Sequence, residues 1–382
     1  MTLAVDRLLP SDEASALLEL TRELADNELA PVVRAAEEAA EFPEACYRLL
    51  GRTGLLGLPF AEEFGGGAQP YEVYLQVVEE LAAVWPSVAV GVSVHTLTVS
   101  VMDTFGTAEQ RAQWLPRMVE GGWLGAYCLS EAQAGSDVSG LATKAVRDGG
   151  SYLLSGVKQW ISNGSHADYY VVFARTDADP RKGLSCFLVT ADSPGLSFGA
   201  PERKLGLHCD VTTQVILDQV RVPADRRIGA EGAGMSIALG ALDSGRLGIA
   251  AVATGLSHGA LSLAVEYAGQ REQFGQPIGT FQGMQFLLAD MATRVERSRA
   301  TYLHAARLKD AGRPFGRQAS IAKLEASDSA MAVTTDAIQV FGGYGYTKDY
   351  DVERYFRDAK VTQIFEGTNQ IQRMVISKKL GL

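Results

Sequence analysis

Near the end of the run QVFGGYGYTKDYDVERYFRDAKVTQIFEGTNQ, which spans Gln339 to Gln370, a carboxylate stands between an aromatic residue and a glycine: Phe365-Glu366-Gly367. Upstream, an apolar helical run stops at Gly342-Gly343, where glycine tolerates the left-handed conformation that ends a helix. Downstream, Thr368 is a good N-cap, and Ile371, Met374 and Val375 recur at helical spacing. Glu366 is therefore expected on a short loop just before a helix. Ile364 and Phe365 would desolvate it and raise its pKa, while the helix N-terminus would lower it. A carboxylate in a dry cleft is a usable general base, and Gly367 leaves room for a substrate to approach the backbone. Taken alone, the same glutamate also fits a residue that only complements the helix dipole.

Other residue groups carry possible chemistry. The loop Cys128-Leu129-Ser130-Glu131-Ala132-Gln133-Ala134-Gly135-Ser136-Asp137 consists of small residues and hydroxyls. It would let a planar ligand approach the backbone, or it is an ordinary turn with an Asp/Ser cap. Trp160, by itself, fits core packing. Arg246 falls on a mostly apolar helix face and needs a partner. That partner is Asp243, three residues earlier, or a phosphate or carbonyl of a ligand. Arg271 offers a charged fork that matches phosphate oxygens. No GxGxxG follows a strand: Gly229, Gly232 and Gly234 run in the wrong order, and Phe64-Gly65-Gly66-Gly67 has no strand before it.

The elements that must position these groups change character twice along the chain. From Ser11 to about Gly121 the pattern is helical, with Thr107–Gln110 as a capping box and Val88–Val101 apolar nearly all round. Near Trp123 it turns to short β-rich runs. Asp148-Gly149-Gly150 marks a tight hairpin, and further strands fall at Tyr170–Ala174, Cys186–Thr190, Leu196–Phe198 and Thr213–Val222. Pro180, Pro194 and Pro223 lie between or after these runs. After Gly234 the helical period returns in Leu256, Ala260, Leu263 and Tyr267, and again in Met284, Leu287, Leu288, Met291 and Val295. The expectation is an α+β protein with domains at 1–122 (helical), 123–232 (a small β-domain or barrel) and 233–382 (a helical bundle).

Composition narrows the function. A net charge of -10 over 382 residues argues against general nucleic-acid binding. The first residues, MTLAVDRLLPSDE, lack the apolar core of a signal peptide, and no uninterrupted apolar run approaches a membrane span. Cys46, Cys128, Cys186 and Cys209 are scattered without CxxC pairing, as in reduced thiols of a cytoplasmic protein. His208-Cys209 has no second ligand pair at metal spacing, so no metal site is expected.

The C-terminal run resembles the signature of the acyl-CoA dehydrogenase family at Gln339, Gly342-Gly343, Gly345, Tyr346, Asp349, Arg354, Asp358 and Phe365-Glu366-Gly367-Thr368. The loop at Cys128–Asp137 is similar to the family's other signature through Ser130, Glu131, Gly135-Ser136-Asp137 and Gly140. It departs at Gln133, where many members carry proline. The resemblance covers nearly the whole chain and implies an N-terminal α-helical domain, a middle β-barrel domain and a C-terminal four-helix bundle. It implies FAD as cofactor and Glu366 as the base that removes the α-proton of an acyl-CoA thioester. The thioester carbonyl is then polarised by the backbone N–H of Glu366 and a ribityl hydroxyl of FAD.

By the same resemblance, Tyr127, Leu129, Ser130, Trp160, Ile161 and Ser162 contact the flavin, with Ser162 at the N5 region. Arg271, Gln273, Phe274 and Gln282 correspond to pyrophosphate and adenine contacts. With Gln339, Val340, Gly342 and Gly343 they reach a flavin held mainly by a neighbouring subunit, which implies an oligomer, a homotetramer. Thr368 and Gln370 complete the cofactor set. Ser136, Asp243, Arg246 and Gly367 stand beside the acyl-CoA. Some members carry the base just before the arginine matched by Arg246, where this chain has Gly245. Electrons pass to an electron-transferring flavoprotein. The stretch Ser93–Leu97 looks most like short-chain members, which implies short or branched short acyl groups. Two other functions remain compatible with the residues: an oxygen-using acyl-CoA oxidase, and a non-catalytic flavin- or acyl-CoA-binding protein.

Overall fold

Ser11 accepts the Ala14 N–H at 3.1 Å and so opens α1 (Asp12–Leu24), the first helix of a computed structural model that describes residues 3–179 and 182–382. α2 (Ala30–Ala39), α3 (Glu44–Arg52), α4 (Tyr71–Val84), α5 (Pro86–Phe105) and α6 (Ala108–Val119) follow. The expected capping box opens α6: the Gln110 N–H reaches the Thr107 hydroxyl at 3.2 Å, and the Thr107 N–H reaches Gln110 Oε1 at 2.9 Å. Pro86 starts α5, where its missing N–H has no helical partner to lose. Nearly every residue of α5 is buried, as its apolar circumference requires.

The β-rich stretch forms β1 (Gly125–Cys128), β2 (Lys144–Asp148), β3 (Ser151–Ser162), β4 (Tyr169–Arg175), β5 (Leu184–Thr190), β6 (Leu196–Phe198), β7 (Thr212–Pro223) and β8 (Arg227–Ile228). They make one sheet in the order β6-β7-β3-β2-β4-β5-β8, with β1 parallel to β4. Asp148 pairs with Ser151 across the two glycines, which is the expected hairpin. Pro194 falls between β5 and β6 and Pro223 ends β7; Pro180 lies outside the described residues. Side chains alternate across the sheet. Tyr170, Val172 and Ala174 join Cys128, Ala145, Leu154, Phe187 and Val215 in one core around which the sheet wraps. Tyr169, Val171 and Phe173 point the other way, into a core shared with Leu97, Trp114 and Ile237.

The chain then returns to helices: α7 (Gly234–Gln270), α8 (Gln282–Asp310), α9 (Gly316–Phe341), α10 (Val352–Thr362) and α11 (Asn369–Lys379). Two-residue strands β9 (Glu272–Gln273) and β10 (Gln276–Pro277) link α7 to α8. α7, α8, α9 and α10 pack as a bundle, and α11 lies on α9. α7 also packs on α4, α5 and β5, so all three parts of the chain meet along it. Small residues permit that approach. A Cβ at Gly255 would lie 2.1 Å from the Glu79 carbonyl oxygen, and one at Gly248 would lie 2.1 Å from Ser93 Oγ.

Ser93, His95, Thr96 and Thr98 interrupt α5, and Ser257, His258 and Ser262 interrupt α7, so neither is an uninterrupted apolar run. α5 and α7 are long and apolar enough to cross a membrane by length and composition. Most of each is buried against the rest of the protein, as in a core helix, so the apolar runs are accounted for by packing.

Candidate active site

Glu366 sits where α10 has ended and α11 has not begun. The Thr368 hydroxyl accepts the Ile371 N–H at 3.2 Å and caps α11, as its residue type suggests. Glu366 and Gly367 both take left-handed φ values, +52° and +85°. Glycine adopts this region freely; a glutamate there is held against a steric cost. The turn brings the carboxylate up against α7, where a Cβ added to Gly245 would lie 2.7 Å from Glu366 Oε2. That oxygen is buried and has no hydrogen-bond partner among the described residues. Burial pushes the carboxyl up to about 7, against the opposing charges of Arg246 and Lys323. Of its two apolar neighbours, Phe365 packs on the core while Ile364 is exposed. The backbone N–H of Glu366 has no acceptor among the described residues. An unpaired carboxylate that ionises near neutrality, beside a free N–H donor, is suited to removing a proton next to a carbonyl.

Arg246 is buried on the same face of α7. Its Nη1 donates to Asp243 Oδ1 at 2.5 Å, so the local ion pair forms, while its Nε has no partner among the described residues. Asp243 also lines a cavity of about 420 Å³ with Tyr71, Asp103, Phe105, Lys309 and Phe315. The Lys309 ammonium lies 4.3 Å from the centroid of Tyr71 and donates to Ser244 Oγ at 2.8 Å. The Asp243–Arg246 pair thus flanks Gly245, where the Glu366 carboxylate meets α7. Ser136 does not line this cavity; it lies on an exposed loop.

The flavin-contact candidates form a second group. Leu129 accepts the buried Lys158 Nζ at its carbonyl (3.1 Å), and the Ser130 carbonyl accepts the Gln159 N–H (2.9 Å). Lys158 also reaches Glu131 Oε1 at 2.8 Å. Burial would raise the Glu131 carboxyl, but Lys158 and the Thr143 and Ala142 donors hold it down at about 2. Gln133 donates to the same carboxylate at 2.7 Å, so the residue that departs from proline ties the loop by hydrogen bonding. The Tyr127 hydroxyl donates to the Ala238 carbonyl at 3.3 Å. Between Lys158 and Ile161 the pairing of β3 with β7 slips by a bulge, and there Trp160 takes φ +63° with its side chain 60% exposed. A bulge of this kind re-aims a side chain. Ile161 turns inward, and the Ser162 hydroxyl donates to the buried Asp210 Oδ2 at 2.9 Å.

The third group lies on the helical bundle. Arg271, Gln273, Val340, Gly342 and Gly343 line one cavity of about 450 Å³ with Tyr267, Phe341 and Tyr344. The Arg271 guanidinium lies 5.6 Å from the centroid of Tyr344 and has no carboxylate partner among the described residues. A free guanidinium between glycine backbones fits a phosphate. Phe274 is 95% exposed at φ +53°, edge-on to Phe281. Gln282, Gln339 and Gln370 are exposed and do not line the cavity. Neither does any of the middle-segment candidates.

Sequence reasoning missed Lys158, Asp210, Lys323 and Gln372. Lys323 left a trace: it is the charge that falls beside the small apolar stripe of Ala319, Ala322, Ala326 and Ala330.

Models of the N-terminal, middle and C-terminal domains of acyl-CoA dehydrogenase match residues 11–122, 126–220 and 232–381. The short-chain-specific acyl-CoA dehydrogenase of Clostridium acetobutylicum is 42% identical over 370 residues, covering 96% of this chain and 98% of that protein. The structure of butyryl-CoA dehydrogenase from Megasphaera elsdenii superimposes with a TM-score of 0.97 at 40% identity, covering 99% of this chain and all of that one. A chain from the structure described as the electron transferring flavoprotein of Acidaminococcus fermentans gives a TM-score of 0.96 at 42% identity, covering 98% and 99%. These matches over nearly the whole chain define the class as an oxidoreductase acting on acyl-CoA. The chain belongs to the acyl-CoA dehydrogenase family.

Proposed function

We propose that this protein oxidises a short acyl-CoA to its trans-2-enoyl-CoA with Glu366 as the base. The observation that carries this reading is the Glu366 carboxylate: buried, without a partner at Oε2, and ionising at about 7. It takes the α-proton, and its free backbone N–H stabilises the charge that develops on the thioester oxygen. FAD, when bound, supplies the acceptor for the hydride that leaves the β-carbon. Three features fit that cofactor: the exposed Trp160 indole, the Ser130 loop beside β3, which ends at Ser162, and the Arg271 cavity. Gly342, Gly343, Thr368 and Gln370 fall among its expected contacts. Asp243 and Arg246 orient the CoA arm. An electron-transferring flavoprotein is the expected acceptor of the electrons, in keeping with the likeness to the Acidaminococcus structure. Four buried, free cysteines suit a reducing, cytoplasmic setting.

The short acyl group is supported by packing. One helical turn beyond Gly245, Gly248 of α7 meets Ser93 of α5 so closely that no Cβ fits between them. The contact is made at Ser93, the first residue of the stretch Ser93–Leu97 that looks most like the short-chain members. A panel of acyl-CoAs from C4 to C16 should give its highest kcat/KM at the short end. The base is tested by anaerobic flavin reduction with butyryl-CoA. Glu366→Gln should slow reduction by about 10²–10⁴-fold while FAD and acyl-CoA still bind. Glu366→Gly combined with Gly245→Glu should recover part of the rate, because the two positions meet at the same carboxylate. Near-normal reduction by Glu366→Gln would mean that the base lies elsewhere.

A further inference from the structure

Lys323 is fully buried on α9. A buried ammonium is costly even when its donors are satisfied. Burial pulls this one down to about 7, so its charge is present on the acidic side of neutrality while its N–H donors remain above it. Its Nζ donates to the Gly367 carbonyl at 2.8 Å and to Asn369 Oδ1 at 2.9 Å, and it makes no ion pair among the described residues. Gln372, in the first turns of α11, donates to the same Gly367 carbonyl at 2.9 Å and to the Glu366 carbonyl at 3.1 Å. Two side chains from two helices therefore hold the two carbonyls of a turn that carries a left-handed glutamate. Asn369 is itself fixed by Ser327 and by Asp328, which accepts its amide at 2.7 Å.

The groups that act on Glu366 come from every element around it: Arg246 on α7, Lys323 on α9, Tyr71 on α4 and Tyr127 on β1, with Asp243 behind Arg246 and Asp328 behind Lys323. Arg246 is already paired with Asp243, whereas the direct acceptors of Lys323 are neutral. We propose that Lys323 is a positioning residue for the base: it clamps the Glu366–Gly367 turn through the Gly367 carbonyl and favours the ionised carboxylate through its charge. This rests on the reading of Glu366 as base. Gln372 shares the clamp but not the charge, so the two side chains separate the two effects.

The test reads proton removal without hydride loss. The probe is an acyl-CoA with sulfur at the β-position, which has α-hydrogens and no β-hydrogen. Exchange of its α-hydrogens with D₂O in the FAD-loaded enzyme is followed by ¹H NMR from pH 5.5 to 9. Lys323→Met should lower the plateau at least tenfold and move the acidic limb up by at least half a pH unit. Lys323→Gln keeps a donor without the charge, so it should move the limb while retaining more of the plateau. It also carries the test if the Met variant does not fold. Gln372→Leu should lower the plateau and leave the limb in place. Should Glu366→Gln exchange at the wild-type rate, the base assignment falls. Should Glu366→Gln stop exchange while Lys323→Met or Lys323→Gln matches the wild-type plateau and limb, only the role of Lys323 falls.

Discussion

A carboxyl whose folded value lies at about 7 binds its proton more tightly in the native state than in the unfolded chain, where the value is 4.5. Its sign is opposite to that of a salt-bridged carboxylate. Stability from the protonated form is fully present below about pH 4.5 and is lost as pH rises through 7. Glu366 is thus held ionised at a cost, and the chain accepts this at the place where a base is required. Glu366→Gln keeps the shape and cannot ionise. It should therefore be more stable than the wild type at pH 8, by on the order of 3 kcal/mol, and the advantage should vanish below about pH 4.5. Urea melts of both proteins at pH 4.5 and pH 8 measure this; an advantage that does not grow with pH would rule out burial as the cause. The position of Glu366 was legible in the sequence because Thr368 and the Ile371, Met374, Val375 spacing mark a helix start. Its left-handed φ was not legible, since that conformation depends on Lys323 and Gln372, whose contacts with the turn are tertiary.

Elements were legible wherever the signal is local. The Gly149-Gly150 turn, the Thr107–Gln110 box and the Gly342 helix end need only a few neighbouring residues, and each forms as its chemistry requires. The loop that carries Leu129 and Ser130 was legible as a loop, but its support was not. Lys158 and Glu131 are 27 residues apart and meet only because β3 runs beneath the loop. Lys158→Met would leave the Glu131 charge buried and unpaired, at a cost of about 3–5 kcal/mol. The same change releases the Leu129 carbonyl, so the apparent Kd for FAD should rise together with the loss of stability. Equilibrium denaturation and flavin titration measure the two effects. A variant as stable as the wild type, with unchanged flavin affinity, would mean that the pair does not hold the loop. Glu131→Gln with Lys158→Met should be milder than Lys158→Met alone, since no charge is stranded.

At the scale of the whole molecule, the order helix, sheet, helix could be read from the change of hydrophobic period at two points. The sharing of α7 among all three parts could not, because it depends on where Gly248 and Gly255 let other backbones approach. The division of the cofactor candidates into separate groups was implied by the family resemblance and by no local pattern in the sequence. Trp160 and Ser162 belong to the sheet, while Arg271, Gln273, Gly342 and Gly343 line a cavity on the bundle that none of the sheet residues enters. The family resemblance implies that the bundle group of one copy meets the sheet group of another, and the assembly is proposed on that ground. Arg271 isolates this effect: its guanidinium makes no ion pair among the described residues and lies over the Tyr344 ring, so its loss should leave the fold of each subunit intact. Removing a charged donor from a phosphate typically costs about 1.5–3 kcal/mol, or roughly 10–150-fold in affinity. Arg271→Ala should therefore bind FAD at least tenfold more weakly while keeping the wild-type circular dichroism. Light scattering of the variant should show a shift from tetramer to smaller species that added FAD reverses in part. A wild-type protein that is an FAD-loaded, active monomer in light scattering would overturn the shared site. So would an Arg271→Ala variant that keeps both its flavin and its assembly.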